Sequence, residues 1–276
     1  MNGKWYIIVT ILFAWISAFT FHDDLVPLTF NGEILDKPFL GGFNRPKIQW
    51  LDWDLDGDLD LFLLDASGYL RYMENQGSAN SPDFKLITAS FKNIFCGGWF
   101  HFADFDGDED LDLTTQNEDD PDHISYYRNS GGEFYIMAVL MAGEGYVTSS
   151  SYMTPTFADI DNDWDLDFFT GNMVGTLTYY ENIGFSSGDI PQFEFVTNSW
   201  QDISIVGGTR IDDRHGASAI TFIDLDGDGD LDLNWGDYFQ QSLYIIWNSG
   251  TPELAVMDEV TNQYPPDNPI VSTAKI

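Results

Sequence analysis

The chain has 276 residues and a formal net charge of −34, from 45 Asp and Glu against 11 Lys and Arg. So acidic a chain repels nucleic acid and anionic lipid, which excludes both as partners, and it attracts cations. With 43% hydrophobic and 16% aromatic residues it has ample material for a packed core, which excludes global disorder.

The N-terminus predicts a signal peptide over residues 1–20. Lys4 supplies a short positive region, Trp5 to Thr20 is an almost unbroken apolar run, and Ser17, Ala18 and Thr20 are the small residues near its end. Cleavage is expected between Ala18 and His22, with an uncleaved anchor as the alternative. No later stretch approaches the ~20 apolar residues of a membrane-spanning helix. Residues 21–46 form an N-terminal segment in which LVPLTF (25–30) could be a strand that closes a ring. The single cysteine, Cys96, excludes an intramolecular disulfide and reads as a buried thiol. A secreted chain without disulfides calls for another staple, and metal is the obvious one.

From residue 47 onward the sequence repeats. Four nine-residue windows align without gaps: DWDLDGDLD (52–60), DFDGDEDLD (104–112), DIDNDWDLD (159–167) and DLDGDGDLD (224–232). They hold 5, 6, 5 and 5 acidic residues, 21 of the 45, so the charge is concentrated rather than spread over a solvated surface. Each window lies between apolar, strand-like stretches such as KIQWL (47–51) and LFLL (61–64). Each unit continues with an alternating stretch ending in Asn-x-Gly (Asn75/Gly77, Asn129/Gly131, Asn182/Gly184, Asn248/Gly250) and then a further strand-like stretch. Asn and Gly tolerate positive φ, so the Asn-x-Gly pairs read as tight turns between antiparallel strands. The units cover approximately 47–91, 99–140, 154–197 and 219–260. Four antiparallel strands in about 50 residues is the size of one propeller blade. The expected fold is therefore all-β: a β-propeller of four-stranded antiparallel blades over 47–276, with an acidic loop between the first two strands of each blade. The four visible blades make either a small ring or part of a larger one. The third unit carries an insertion within 198–217, and insertions of this kind map to loops on one face, often the binding face.

The loops have the chemistry of calcium sites. Calcium takes six to eight oxygen ligands in irregular geometry. Side chains at loop positions 1, 3, 5 and 9 and the carbonyl at position 7 could supply them. These are Asp52, Asp54, Asp56, Asp60 and the Asp58 carbonyl in the first loop, and Asp104, Asp106, Asp108, Asp112 and Asp110 in the second. The third has Asp159, Asp161, Asp163, Asp167 and Asp165, and the fourth Asp224, Asp226, Asp228, Asp232 and Asp230. About four calcium ions are expected, one per loop. An EF-hand would need a Glu at position 12, where Leu63, Thr115, Thr170 and Trp235 stand, and helices on both sides. Leu at position 8 (Leu59, Leu111, Leu166, Leu231) should anchor each loop in the core. Position 6 needs a backbone conformation suited to Gly, which Gly57 and Gly229 supply; Glu109 and Trp164 stand there in the second and third loops, which should bind more weakly.

The Phe-x-Asp-x-Asp-x-Asp-Gly-Asp-x-Asp pattern, the trailing Leu-x-Tyr-Tyr-x-Asn-x-Gly and the Gly-rich entry Phe95–Gly98 resemble FG-GAP/VCBS repeats over roughly 47–260. That resemblance implies the integrin α-like propeller, in which the loop joining the first two strands of a blade binds calcium, and rings that are commonly seven- or eight-bladed.

No catalytic constellation emerges, and the balance is against an enzyme. His101 reads as a core residue, His123 as surface, and His22 lies at the cleavage region. His215, with Arg210, Arg214, Asp212 and Asp213, forms a polar cluster in the insertion. Trp99, Trp200 and Trp235 lie at strand ends or loops and could stack on a sugar ring. The expectation is a secreted or cell-surface calcium-binding propeller that acts as a binding or adhesion scaffold for an extracellular protein or glycan. The alternatives are the propeller part of a carbohydrate-active enzyme, such as a polysaccharide lyase, and a structural spacer in a larger surface protein.

Overall fold

The computed structural model describes residues 29–34, 43–44, 46–186, 188–204, 219–236 and 243–265. The expected signal segment, most of 21–46 and the insertion from 205 to 217 lie outside the described residues. The chain divides into two units, Met1–Gly42 and Phe43–Ile276. In the first, Thr29–Phe30 pairs antiparallel with Glu33–Ile34 across Asn31 and Gly32, whose φ values are 52° and 89°. The described end of the 25–30 stretch is thus a strand of this two-residue-turn hairpin.

The second unit is a four-bladed β-propeller. Blade 1 is Lys47–Leu51, Asp60–Leu64, Leu70–Asn75 and Phe84–Thr88. Blade 2 is Phe100–Ala103, Asp112–Gln116, Ile124–Ser130 and Glu133–Val139. Blade 3 is Thr156–Ala158, Asp167–Gly171, Leu177–Phe185 and Pro191–Thr197, and blade 4 is Ala219–Ile223, Asp232–Gly236, Leu243–Asn248 and Met257–Tyr264. Within each blade the four strands pair antiparallel in chain order. Blade 3 gains two short strands, because Met141–Ala142 runs parallel to its outer strand and pairs with Gly145–Tyr146. In blade 4 the outer strand begins later than the sequence pattern indicates, since Thr251 and Leu254 bridge within the preceding turn.

The second strands explain why patterning is strong in some stretches and absent in others. Asp112–Gln116 and Asp167–Gly171 are buried at every residue, since a strand inside a blade that packs on both sides has no solvent face. Three apolar clusters join consecutive blades. Phe62, Leu64 and Tyr72 of blade 1 meet Phe100, Phe102 and Leu113 of blade 2. Ile124 and Tyr126 meet Phe157, Phe168 and Phe193 of blade 3. Phe169, Leu177 and Tyr179 meet Ile220, Leu233 and Trp235 of blade 4. Alternate residues of one strand serve opposite interfaces: Phe168 faces blade 2 and Phe169 faces blade 4. The 3-residue turns that follow the outer strands of blades 1 and 3 are also repeated. Phe91 and Trp200 begin equivalent 3₁₀ turns and fill equivalent core places.

One polar device recurs in all four blades. The ninth loop residue, Asp60, Asp112, Asp167 or Asp232, is the first residue of the second strand, and none is more than 2% exposed. Its Oδ1 accepts the backbone N–H of the Asn ending the third-strand motif: Asn75 at 2.7 Å, Asn129 at 2.8 Å, Asn182 at 2.8 Å and Asn248 at 2.9 Å. In three blades its Oδ2 accepts a tyrosine hydroxyl, from Tyr72 (3.0 Å), Tyr126 (2.6 Å) and Tyr179 (3.0 Å). Blade 4 has Ile245 at the tyrosine place, and there the Leu225 N–H donates to Oδ2 at 3.1 Å.

The same asparagines use their side chains. Each Oδ1 accepts an N–H from the glycine turn: Gly77 at 3.1 Å, Gly132 at 2.8 Å, Gly184 at 3.1 Å and Gly250 at 3.0 Å. None of the four asparagines has a positive φ. Asparagine is required here as a hydrogen-bonding side chain, not for the left-handed backbone the sequence pattern suggested. Asp112→Ala leaves the Asn129 N–H and the Tyr126 hydroxyl buried without acceptors and is expected to cost about 2–4 kcal/mol. Tyr126→Phe removes one neutral donor and is expected to cost about 1 kcal/mol. Urea unfolding of both variants checks the order and size of these losses.

Candidate metal centre

The loop leaves the first strand, curls over itself and re-enters the sheet at the buried ninth residue. The first aspartate organises the curl by accepting loop N–H groups. Asp104 accepts Gly107 (2.8 Å) and Asp108 (3.2 Å) on Oδ1 and Glu109 (3.0 Å) on Oδ2. Asp224 accepts Gly227 (2.7 Å) and Gly229 (3.1 Å), and Asp159 accepts Asp163 and Trp164, both at 3.1 Å. Asp52 accepts Gly57 at 3.1 Å. The fifth residue then accepts the seventh N–H in every loop, at 3.0–3.1 Å.

This curl imposes two left-handed residues per loop. Position 6 has φ of 96° (Gly57), 71° (Glu109), 77° (Trp164) and 98° (Gly229), in line with the sequence expectation. Position 4 is also left-handed, with φ of 60° (Leu55), 74° (Gly107), 59° (Asn162) and 83° (Gly227). Only the fourth loop has glycine at both places. The first has Leu55, 85% exposed and so without packing to offset its conformation. The third has Trp164, 91% exposed, together with an asparagine, which tolerates this region better.

The curl brings oxygens of positions 1, 3 and 5 within 4.8 Å of one another in every loop: Asp52, Asp54 and Asp56; Asp104, Asp106 and Asp108; Asp159, Asp161 and Asp163; Asp224, Asp226 and Asp228. These are four triads that could hold a metal ion. The ninth carboxylate, expected from sequence as a further ligand, is not among these clustered oxygens; it is held by the protein donors described above, with lone pairs to spare. At position 7, Asp58 and Asp230 are buried, and Asp110 accepts the Gly131 N–H at 2.8 Å. Position 8 packs as expected for Leu111, Leu166 and Leu231, whose carbonyls accept Asn129, Asn182 and Asn248 Nδ2. Leu59 departs from this and is 53% exposed.

Crowding raises the carboxyl pKa values. Loss of water is the largest cause in each case and neighbouring carboxylates add to it, as at Asp54, Asp58, Asp106 and Asp161. Asp112 and Asp230 rise to about 6, Asp165 to about 7 and Asp167 to about 8. Several oxygens are shielded from solvent and have no partner: Asp52 Oδ1, Asp58 Oδ1, Asp106 Oδ1 and Asp230 Oδ1. An acceptor-only group left this way is costly unless a cation meets it.

Other residues singled out by sequence have structural places. Trp99, Trp200 and Trp235 are 1%, 7% and 0% exposed inside the blade-to-blade clusters, so none offers a face to a sugar. Burial lowers the His101 pKa to about 4, and its ring packs 5.3 Å from Phe157. His123 lies 4.2 Å from the Tyr146 ring and 3.6 Å from Asp120. Burial pushes the Cys96 thiol far up, which leaves it unreactive. His22 and the Arg210–His215 cluster lie outside the described residues. Sequence reading missed the left-handed fourth position and the asparagine side chain. Leu55→Gly is expected to stabilise the protein by about 1 kcal/mol, and Gly229→Ala to destabilise it by about 1–2 kcal/mol. Space around Gly229 is open, so urea unfolding of this pair reads backbone conformation alone.

Residues 52–115, from the first acidic loop through the second strand of blade 2, match the model of the FG-GAP-like repeat. No curated protein matches the chain. Among the described residues no helix is long and apolar enough to cross a membrane. The matched segment supplies two of the four loops, and the other two blades repeat its strand order, its acidic triad and its buried aspartate–asparagine bond: the chain is a four-bladed β-propeller that carries the FG-GAP-like repeat.

Proposed function

We propose that this protein is a calcium-stabilised propeller that works outside the cell or on its surface as a binding or adhesion scaffold. The observation that carries the cation reading is the set of shielded carboxylate oxygens without donors in the first and fourth loops. Each triad is made of carboxylates alone, with no imidazole or thiolate, which is the donor set of a hard cation. Calcium suits an irregular loop better than magnesium, which demands near-octahedral geometry and keeps its waters. When bound, the ion supplies positive charge to a cluster that otherwise repels itself. The chain's own part is to curl the loop on the first aspartate, to present positions 3 and 5, and to hold position 9 with protein donors. The ion is a staple in this reading rather than a reactant. The extracellular setting rests on the N-terminal signal pattern and the abundance of calcium outside cells. Recognition of a protein or glycan partner is assigned to the inserted segment 198–217.

Two outcomes are expected. At tenfold excess over Kd each filled site adds about 1.4 kcal/mol. Several sites together are comparable with the ~5–15 kcal/mol stability of a domain. Urea unfolding in calcium should therefore have a clearly higher midpoint than in chelator, and coincident curves would sink the proposal. The second outcome concerns pH. Carboxyls with folded pKa values of about 6–8 exceed the ~3.9 of an unfolded aspartate, so the folded chelated protein binds protons more tightly than the unfolded chain. The resulting stability is complete below the unfolded value and is lost as pH rises through about 6–8. Thermal melts in chelator should fall from about pH 5.5 to about pH 8.5, and calcium should flatten the slope while releasing protons that calorimetry in two buffers can count.

A further inference from the structure

Among the described residues, the second loop differs from the others in carrying a cation of its own. Arg128 Nη2 lies 2.7 Å from Asp106 Oδ2 and 3.3 Å from Asp108 Oδ2, two of the three carboxylates of that triad. Nη1 lies 2.8 Å from Asp189 Oδ2, in the outer hairpin of blade 3. Asp106 is the most shielded of these groups, its side chain only 4% exposed. The position is set by register. Arg128 directly precedes Asn129, the residue clamped by Asp112, and the equivalent residues in the other blades are Glu74, Glu181 and Trp247. The Glu74 charge acts on Asp54 and raises its pKa, so this place in the third strand looks onto the loop in blade 1 as well.

We infer that Arg128 is the resident cation of the second loop and that the residue before the clamped asparagine sets each loop's appetite for calcium. This rests on the calcium reading of the loops. A calcium ion needs oxygens at about 2.3–2.6 Å from several directions. A guanidinium held against two of the three carboxylates occupies that convergence, and calcium enters only if Arg128 swings out and its bond to Asp189 breaks. Arginine stays charged at any physiological pH and is weakly hydrated, so it neutralises the loop without exchange. Glu74 does the opposite and adds a carboxylate beside the first loop. The second loop is then filled by arginine at calcium concentrations that load the others, and the pair also ties blade 2 to blade 3 whether or not calcium is present.

The test is a count of bound ions by calorimetry and by equilibrium dialysis with radioactive calcium, using the whole chain. The wild type should bind one ion fewer than its four loops, or bind one at least tenfold more weakly than the rest. Arg128→Gln should gain that ion, and Glu74→Arg should lose one. Arg128→Gln also breaks the inter-blade bridge, so it should unfold at lower urea in chelator and recover in calcium. Should it fail to fold, Glu74→Arg alone decides, since it puts a cation at the place in blade 1 that Arg128 holds in blade 2. Binding by the wild type with unchanged number and affinities in both variants overturns this inference while leaving the calcium reading intact. Calcium binding by none of the proteins overturns that reading and this inference with it.

Discussion

Every blade opens its second strand with a carboxylate taken out of water. Burying a charge is costly, and here the cost is met locally: a backbone N–H and, in three blades, a tyrosine hydroxyl converge on Asp60, Asp112 and Asp167. Those donors come from the third strand, so the bond fixes the register of the second and third strands against each other. The same aspartate closes the acidic loop, so the loop's curl and the blade's hairpin are a single structure. The asparagine clamped by that carboxylate reaches back to the loop through its side chain and forward to the glycine turn. Fold and cation chemistry therefore meet at one residue pair per blade. A perturbation of the loop reaches the core through about two hydrogen bonds.

Much of this was legible because its spacing is fixed. Nine-residue windows that align without gaps gave the loops, their flanks gave the strands, and the period gave the blade. What was hidden has a physical reason in each case. The left-handed fourth position is occupied by Leu55, Gly107, Asn162 and Gly227; glycine stands there twice, as it does at position 6, but Leu55 in the first loop breaks the column and hides the shared backbone conformation. Trp99, Trp200 and Trp235 sit at strand ends in the sequence, but strand ends in a propeller are covered by the next blade. Arg128 is visible as a lone positive charge in the third strand. Its bond to Asp189 joins residues 61 apart and depends on how two blades pack, which local sequence does not encode.

The four loops share their ligand letters and differ in everything around them. The fourth has no left-handed non-glycine residue and no tyrosine on its buried aspartate. The first strains Leu55, the second strains Glu109 and is met by arginine, and the third strains Trp164. Sequence alone ranks the first and fourth loops together on position 6; the backbone separates them.

These differences matter because a propeller is close to a one-dimensional array, in which each blade is supported by its neighbours. In such an array a staple acts most where it joins two units, not where it closes one. The apolar clusters already do this between successive blades, and Arg128 adds a charged contact at the rim between the loop of blade 2 and the hairpin of blade 3. An exposed pair contributes little by itself. This one is different in kind because Asp106 is shielded and would otherwise stand uncompensated, so losing the arginine costs more than the pair's own attraction. A fixed charge at the interface of blades 2 and 3 is a contact that does not exchange with the medium.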